Sequence, residues 1–168
     1  LSGGQRQRVA VARALTLNPE FIVADEPVSM LDVSIRGEIL NLMLNLSLEK
    51  GVTFLYITHD LATARHICHR IAVMYLGKIV EKGHTDELIK YPLHPYTKAL
   101  ISAVFIPDPK QKDFGKTLKG EVPNPVNPPS GCRLHPRCPM AKDICKRVEP
   151  DLVKVNDRHM VACHFALG

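Results

Sequence analysis

The sequence predicts an α/β fold followed by a small, irregular cysteine-rich extension, and three observations carry that reading. Two short apolar runs, Phe21-Ile22-Val23-Ala24 and Phe54-Leu55-Tyr56-Ile57, have the length and β-branched or aromatic content of buried parallel strands. Stretches with helical spacing of apolar residues flank and separate them. The C-terminal segment instead sets Cys132, Cys138, Cys145 and Cys163 among prolines, with little apolar material to form a core.

Ser2 to about Leu17 predicts the first helix. Ser2 is a good N-cap, and Gln5 stands at the capping-box position. Val9, Ala12, Ala14 and Leu15 give one apolar side, leaving Arg6, Arg8 and Arg13 to face out or pair. Asn18-Pro19 stops it, because proline disfavours helix in the residue before it. Gly3 and Gly4 let the backbone approach a ligand without a Cβ in the way. A helix start with free N–H groups and the positive dipole end suits a phosphate. Taken alone, Leu1-Ser2-Gly3-Gly4-Gln5 fits a capped helix after a turn equally well.

Phe21–Asp25 predicts the first strand. Asp25 and Glu26 stand at its C-terminal end, where open α/β sheets place their ligands. One of the two carboxylates can hold Mg²⁺, a hard cation that prefers oxygen, and the other can orient or deprotonate a water. A long helix capped by Asp32 or Ser34 runs to about Lys50, with Ile35, Ile39, Leu42 and Leu46 as its core stripe. Gly51 suits the residue after it. Val52–Thr58 is the second strand, with Thr58-His59-Asp60 at its end. Leu61 to about Cys68 is a short helix, and Cys68 reads as a small buried apolar residue. Arg70–Leu76 and Lys78–Glu81 are strands joined tightly through Gly77, and a helix begins at Asp86. His94-Pro95-Tyr96 reads as a turn leading into another helix. Prolines 107, 109, 123, 125, 128 and 129, with several lysines, then make an extended linker.

Leu1 to Gln5, Phe21 to Glu26, Ser29-Met30-Leu31-Asp32 and His59, in that order and spacing, resemble the nucleotide-binding domain of the ABC transporter ATPases. They correspond to its signature, Walker B strand, D-loop and switch histidine. Met30 departs from the family's usual alanine. The run Met74-Tyr75-Leu76-Gly77-Lys78-Ile79-Val80-Glu81-Lys82-Gly83 resembles that family's closing hairpin. The string Tyr91-Pro92-Leu93-His94-Pro95-Tyr96 is similar to the extension of its oligopeptide/dipeptide importer branch. On this resemblance residues 1–90 are the C-terminal part of a P-loop NTPase domain. Residues 91–168 are the extension, with a linker over 106–131 and a cysteine cluster over 132–163.

No Gly-x-x-x-x-Gly-Lys-Ser/Thr string occurs in the chain. The resemblance places that P-loop upstream of the signature, so the chain reads as the C-terminal portion of a longer subunit and is expected to be inactive alone. Hydrophobic residues make up 45%, as in globular domains, and no apolar run approaches the ~20 residues that span a bilayer. The net charge of +5 is uneven. Residues 1–105 hold 11 Lys and Arg against 10 Asp and Glu, and residues 106–168 hold 11 against 7. A modestly basic tail reads as a solvated surface, and nucleic acid is not expected as a partner.

The cysteines follow Cys-x5-Cys-x6-Cys-x17-Cys. Disulfides, zinc and an iron–sulfur cluster each fit four thiols needing a crosslink, and spacing does not choose between zinc and iron. The resemblance chooses. Gly131-Cys132 to Cys138-Pro139, then Cys145, then Val161-Ala162-Cys163-His164 look like the tail of peptide-importer ATPases that bind a [4Fe–4S] cluster. The expectation is therefore a [4Fe–4S] cluster on Cys132, Cys138, Cys145 and Cys163, with zinc as the alternative.

The resemblance further implies an ATP site shared between two subunits. Ser2, Gly3, Gly4 and Gln5 would contact nucleotide held by the partner. Asp25 would hold Mg²⁺, Glu26 would be the general base, His59 would sense the γ-phosphate, and Asp32 would couple the two sites. The implied function is an ATPase powering peptide import at the cytoplasmic face of the membrane. Its partners would be a second ATPase subunit, two permease subunits and, indirectly, a solute-binding protein. Two other readings stay open: a soluble ABC ATPase outside transport, and a metal-binding interaction module with a degenerate ATPase half.

Overall fold

In the computed structural model, which describes residues 2–105 and 118–166, Ser2 caps a helix α1 (Gly3–Leu15). Leu1 and the linker positions Pro107, Pro109, Lys110, Lys112 and Lys116 lie outside the described residues. The chain divides into two compact units, Leu1–Ile67 and Cys68–Gly168.

In the first unit, α1 is followed by β1 (Phe21–Asp25), α2 (Val33–Lys50), β2 (Thr53–Ile57) and α3 (Leu61–Ile67). β1 and β2 pair in parallel, from Phe21 opposite Thr53 to Asp25 opposite Ile57. Asp32 is the N-cap of α2 without a side-chain hydrogen bond, and Gly51 ends it at φ 68°. That left-handed conformation costs glycine little. Ile39, Leu40 and Met43 of α2 pack with Val28, and Ala24, Phe54 and Tyr56 of the strands close the core. Ile35, Leu42 and Leu46 are half-buried, so the stripe is turned slightly from the expected one.

Two expectations are corrected here. The strands are buried on one face only: Phe21, Val23, Leu55 and Ile57 are 44–55% exposed. A parallel strand is covered on both faces only when a layer lies on each side, and the described residues of this unit supply one, α2. Likewise Val9, Ala12 and Ala14 of α1 are exposed, and Gly4 is its only buried residue. The inner side of α1 is the narrower row Gly4, Gln7, Val11 and Leu15.

The second unit is an antiparallel sheet of order β3-β4-β6-β5, built from β3 (Arg70–Tyr75), β4 (Lys78–His84), β5 (Val153–Asn156) and β6 (His159–Val161). Leu76 and Gly77 join β3 to β4 with φ 45° and 79°. Two positive values at a two-residue loop match the twist of a hairpin. Helices α4 (Thr85–Lys90), α5 (Pro95–Phe105) and α6 (Asp143–Arg147) complete the unit. Cys68 lies just beyond α3 and is only partly buried.

The C-terminal segment is not irregular, as expected from its prolines. α6, β5 and β6 form there, and Leu134 joins Val73, Tyr75, Val80 and Leu88 in one buried core. Leu118, within the expected linker, packs on the same core, and the Lys119 N–H donates to the Arg137 carbonyl at 2.9 Å.

A buried polar network ties this unit together. Glu81 is completely buried, and its carboxylate accepts the N–H groups of Leu93 at 2.8 Å and His94 at 3.0 Å. The buried His159 ring meets the same carboxylate, Nε2 to Oε1, at 2.7 Å. His94 explains why His-Pro-Tyr opens a helix. Its Nδ1 accepts the Tyr96 N–H at 3.2 Å, its carbonyl accepts the Lys98 N–H, and Pro95 takes the first helical position, where no N–H is needed.

Burial, helped by the charge on Lys98, holds the His94 ring well below its usual 6.5, at about 4. An unfolded histidine takes a proton below 6.5 while the native one resists to about 4. The native state is therefore disfavoured progressively as pH falls through that window, by up to about 3 kcal/mol. Urea titrations at a series of pH values are expected to show this loss, and a His94→Asn variant is expected to flatten it.

Candidate functional site

The C-terminal ends of β1 and β2 bring Glu26 and His59 together. The Glu26 N–H donates to the Ile57 carbonyl at 2.9 Å, extending the parallel ladder by one residue. Its own carbonyl accepts the Ser29 N–H and hydroxyl, at 3.3 and 3.0 Å. Between these ties the Glu26 backbone sits at φ 46°, immediately before Pro27. For a residue with a Cβ that conformation costs on the order of 1–3 kcal/mol, and it persists because both sides over-determine it.

The strain aims the carboxylate. Glu26 Oε1 accepts the His59 backbone N–H at 3.2 Å and meets the His59 ring Nδ1 at 2.7 Å. The His59 side chain is 80% exposed and that of Glu26 37%, so both are open to a ligand. A carboxylate fixed by a neighbouring imidazole can accept a proton from water, and the imidazole edge can meet an anionic oxygen. Asp25 is exposed at the end of β1, and Asp32 is exposed ahead of α2.

The start of α1 is the second constellation. Ser2 Oγ accepts the Gln5 N–H at 3.3 Å, and Gln5 Oε1 accepts the Ser2 N–H at 2.8 Å, closing a capping box. The glycines have a role that sequence reasoning missed. A Cβ on Gly4 would overlap Ile35 Cγ2, and a Cβ on Gly3 would lie 3.3 Å from Leu31 Cδ2. Both therefore let α1 approach the start of α2. Ile35 at helical spacing was the available signal, but nothing in the sequence pairs it with Gly4. Gly4→Ala is expected to destabilise the protein by about 1–3 kcal/mol, because a β-branched side chain has little room to yield. A thermal melt of the variant checks this.

The cysteines do not form the expected metal centre. Cys132, Cys138, Cys145 and Cys163 line one cavity of about 10 Å³ with Leu134, Met140 and Phe165, room for roughly one water. Among the described residues no group of three or more His, Cys, Asp or Glu side chains is placed to hold a metal ion. Burial pushes the Cys132 thiol up to about 11 and raises Cys138 and Cys163 as well. The premise that this segment needs a crosslink also fails. Leu134 and Val161 are almost completely buried, and Cys132 and Cys138 pack against the core around Val80. The [4Fe–4S] cluster is thus corrected, and its zinc alternative has the same lack of a donor group.

Comparison with known proteins points to one family. Residues 1–29 match the model described as "ABC transporter", and residues 80–145 match "Oligopeptide/dipeptide transporter, C-terminal region". The chain is 56% identical over 164 residues to the "Probable peptide ABC transporter ATP-binding protein y4tS" of Sinorhizobium fredii, covering 98% of this chain and 46% of that protein. It is 54% identical over 168 residues to the "Oligopeptide transport ATP-binding protein AppF" of Bacillus subtilis, covering 98% and 50%. The chain thus spans about half the length of the curated relatives it matches. These relatives carry the name of ATP-binding proteins. The solved structure of cbiO1 from Clostridium perfringens, part of the ABC transporter complex cbiONQ, superposes with a TM-score of 0.51 at 33% identity, covering 54% of this chain and 36% of that one. The chain belongs to the ABC transporter ATP-binding proteins, in their oligopeptide/dipeptide branch.

Proposed function

We propose that the protein is the ATP-hydrolysing subunit of an importer for oligopeptides or dipeptides. The observation that carries this is the Glu26–His59 contact at the ends of two parallel strands, with Glu26 held at φ 46°. Glu26 acts as the general base that takes the proton from the attacking water. His59 steadies that carboxylate from one side and meets the γ-phosphate from the other. Asp25 fits a magnesium ion: it is an exposed carboxylate one residue from the base, and magnesium asks for one or two carboxylates besides phosphate and water. When bound, that ion supplies positive charge to the phosphates.

Ser2, Gly3, Gly4 and Gln5 serve a nucleotide held by a second ATPase subunit. Their helix start offers N–H groups and the positive dipole end to its γ-phosphate. Asp32 stands ahead of α2, in the loop that follows Glu26, and couples the two sites. Residues 1–90 form the nucleotide-binding part and residues 91–168 the importer-type extension. No helix among the described residues is long and apolar enough to cross a membrane. In this reading two permease subunits supply the passage, with the ATPases at their cytoplasmic face and a solute-binding protein delivering the peptide.

Reconstitution tests this reading. Vesicles carrying the full-length protein with its co-purifying membrane subunits are expected to take up labelled oligopeptide only when ATP and magnesium are present. Full-length protein that purifies with nucleic acid, and with no membrane subunit, would place it outside transport.

A further inference from the structure

Arg36 closes the first turn of α2, its N–H donating to the Asp32 carbonyl at 2.8 Å, and its side chain reaches toward two loops at once. Its guanidinium Nη2 donates to the Leu31 carbonyl at 3.3 Å, in the loop after β1. Its Nη1 lies 4.0 Å from Asp60 Oδ2, in the corner after β2. Both side chains are about one-third exposed, so the pair adds little to stability. The Arg36 Nε is buried with no hydrogen-bond partner among the described residues. The side chain thus gives up hydration there while its two terminal nitrogens bridge the loops.

What those two loops carry makes the bridge informative. Asp60 follows His59, which grips Glu26 at 2.7 Å. Asp60 is itself held rigidly: its carboxylate accepts the N–H groups of Ala62 and Thr63 at 3.0 and 3.3 Å and the Thr63 hydroxyl at 2.5 Å. On the other side, Leu31 rests against Gly3, where an added Cβ would lie 3.3 Å from Cδ2. A line of neighbours therefore runs from Glu26 and His59, through Asp60, across 4.0 Å to Arg36, and on through Leu31 to the helix start at Gly3.

We propose that Arg36 is a positioning residue that holds the His59 corner and the Gly3 helix start in a fixed relation. It thereby links the chain's own hydrolytic pair to the phosphate-binding end it offers a partner. The planar fork explains arginine here, since it reaches a carbonyl and a carboxylate together, which a lysine ammonium does less well. This proposal rests on the ATPase reading above.

The test is steady-state ATP turnover by the full-length subunit in its assembled complex, with Arg36→Met, Asp60→Asn, the double variant and Glu26→Gln as control. Arg36→Met is expected to lower kcat about 10- to 100-fold, the scale of a small misplacement, with KM for ATP and the melting temperature nearly unchanged. Asp60→Asn is expected to lower kcat similarly, and the double variant no further, because both cut one link. A kcat within twofold of native for Arg36→Met would overturn the proposal. So would fully additive losses, or a fall in kcat matched by a fall in melting temperature. Absence of ATP turnover by the native complex would instead overturn the ATPase reading itself, and turnover that Glu26→Gln leaves intact would overturn the role given to Glu26.

Discussion

Replacing Glu81 by alanine is expected to destabilise the second unit by about 3–5 kcal/mol, the scale for breaking a buried pair from one side. Three groups lose their acceptor together: the N–H groups of Leu93 and His94 and the His159 ring. The His94 N–H and the His159 ring cannot turn to solvent, because those residues are 1% and 3% exposed. Glu81→Gln is expected to cost less, since an amide oxygen still accepts a hydrogen bond. Urea unfolding followed by tyrosine fluorescence checks this. Three of the four tyrosines, Tyr75, Tyr91 and Tyr96, report on this unit, and there is no tryptophan to mask them. A midpoint unchanged by Glu81→Ala would contradict the role given to the network.

That network was the least legible part of the sequence. Glu81 and His159 are 78 residues apart, and nothing local marks either as buried. β6 has three residues and β5 four, too short for alternation to show. Missing them left the C-terminal segment without a visible core, and the cysteines were then expected to order it. The structure assigns that work to Leu134, Val161 and the pairing of β6 with β4.

The first unit was far more legible. Phe21–Asp25 was read to the residue, because a β-branched run ends in two acids and a proline. Gly51 marked the end of α2. The burial of each strand face was not legible, since it depends on how many layers lie against the sheet. The closeness of Glu26 and His59 follows from β1 and β2 pairing in parallel, which the two apolar runs implied. The Glu26 conformation does not follow, since a proline after it argues against that backbone region.

Glu26→Gln in the full-length protein is expected to lower ATP turnover by about 10²–10⁴-fold while nucleotide binding persists. The amide keeps the shape of the side chain and its contact with the His59 N–H, but it no longer takes a proton from water. The effect therefore falls on the chemical step. His59→Ala is expected to reduce turnover less severely, because Glu26 keeps its carboxylate and loses only the group that steadies it.

The most direct measurement is phosphate release in a single turnover, from the full-length protein loaded with ATP and magnesium. The native protein is expected to release phosphate, and Glu26→Gln to retain intact ATP over the same period. Equal release from both would contradict the assignment of Glu26 as the base.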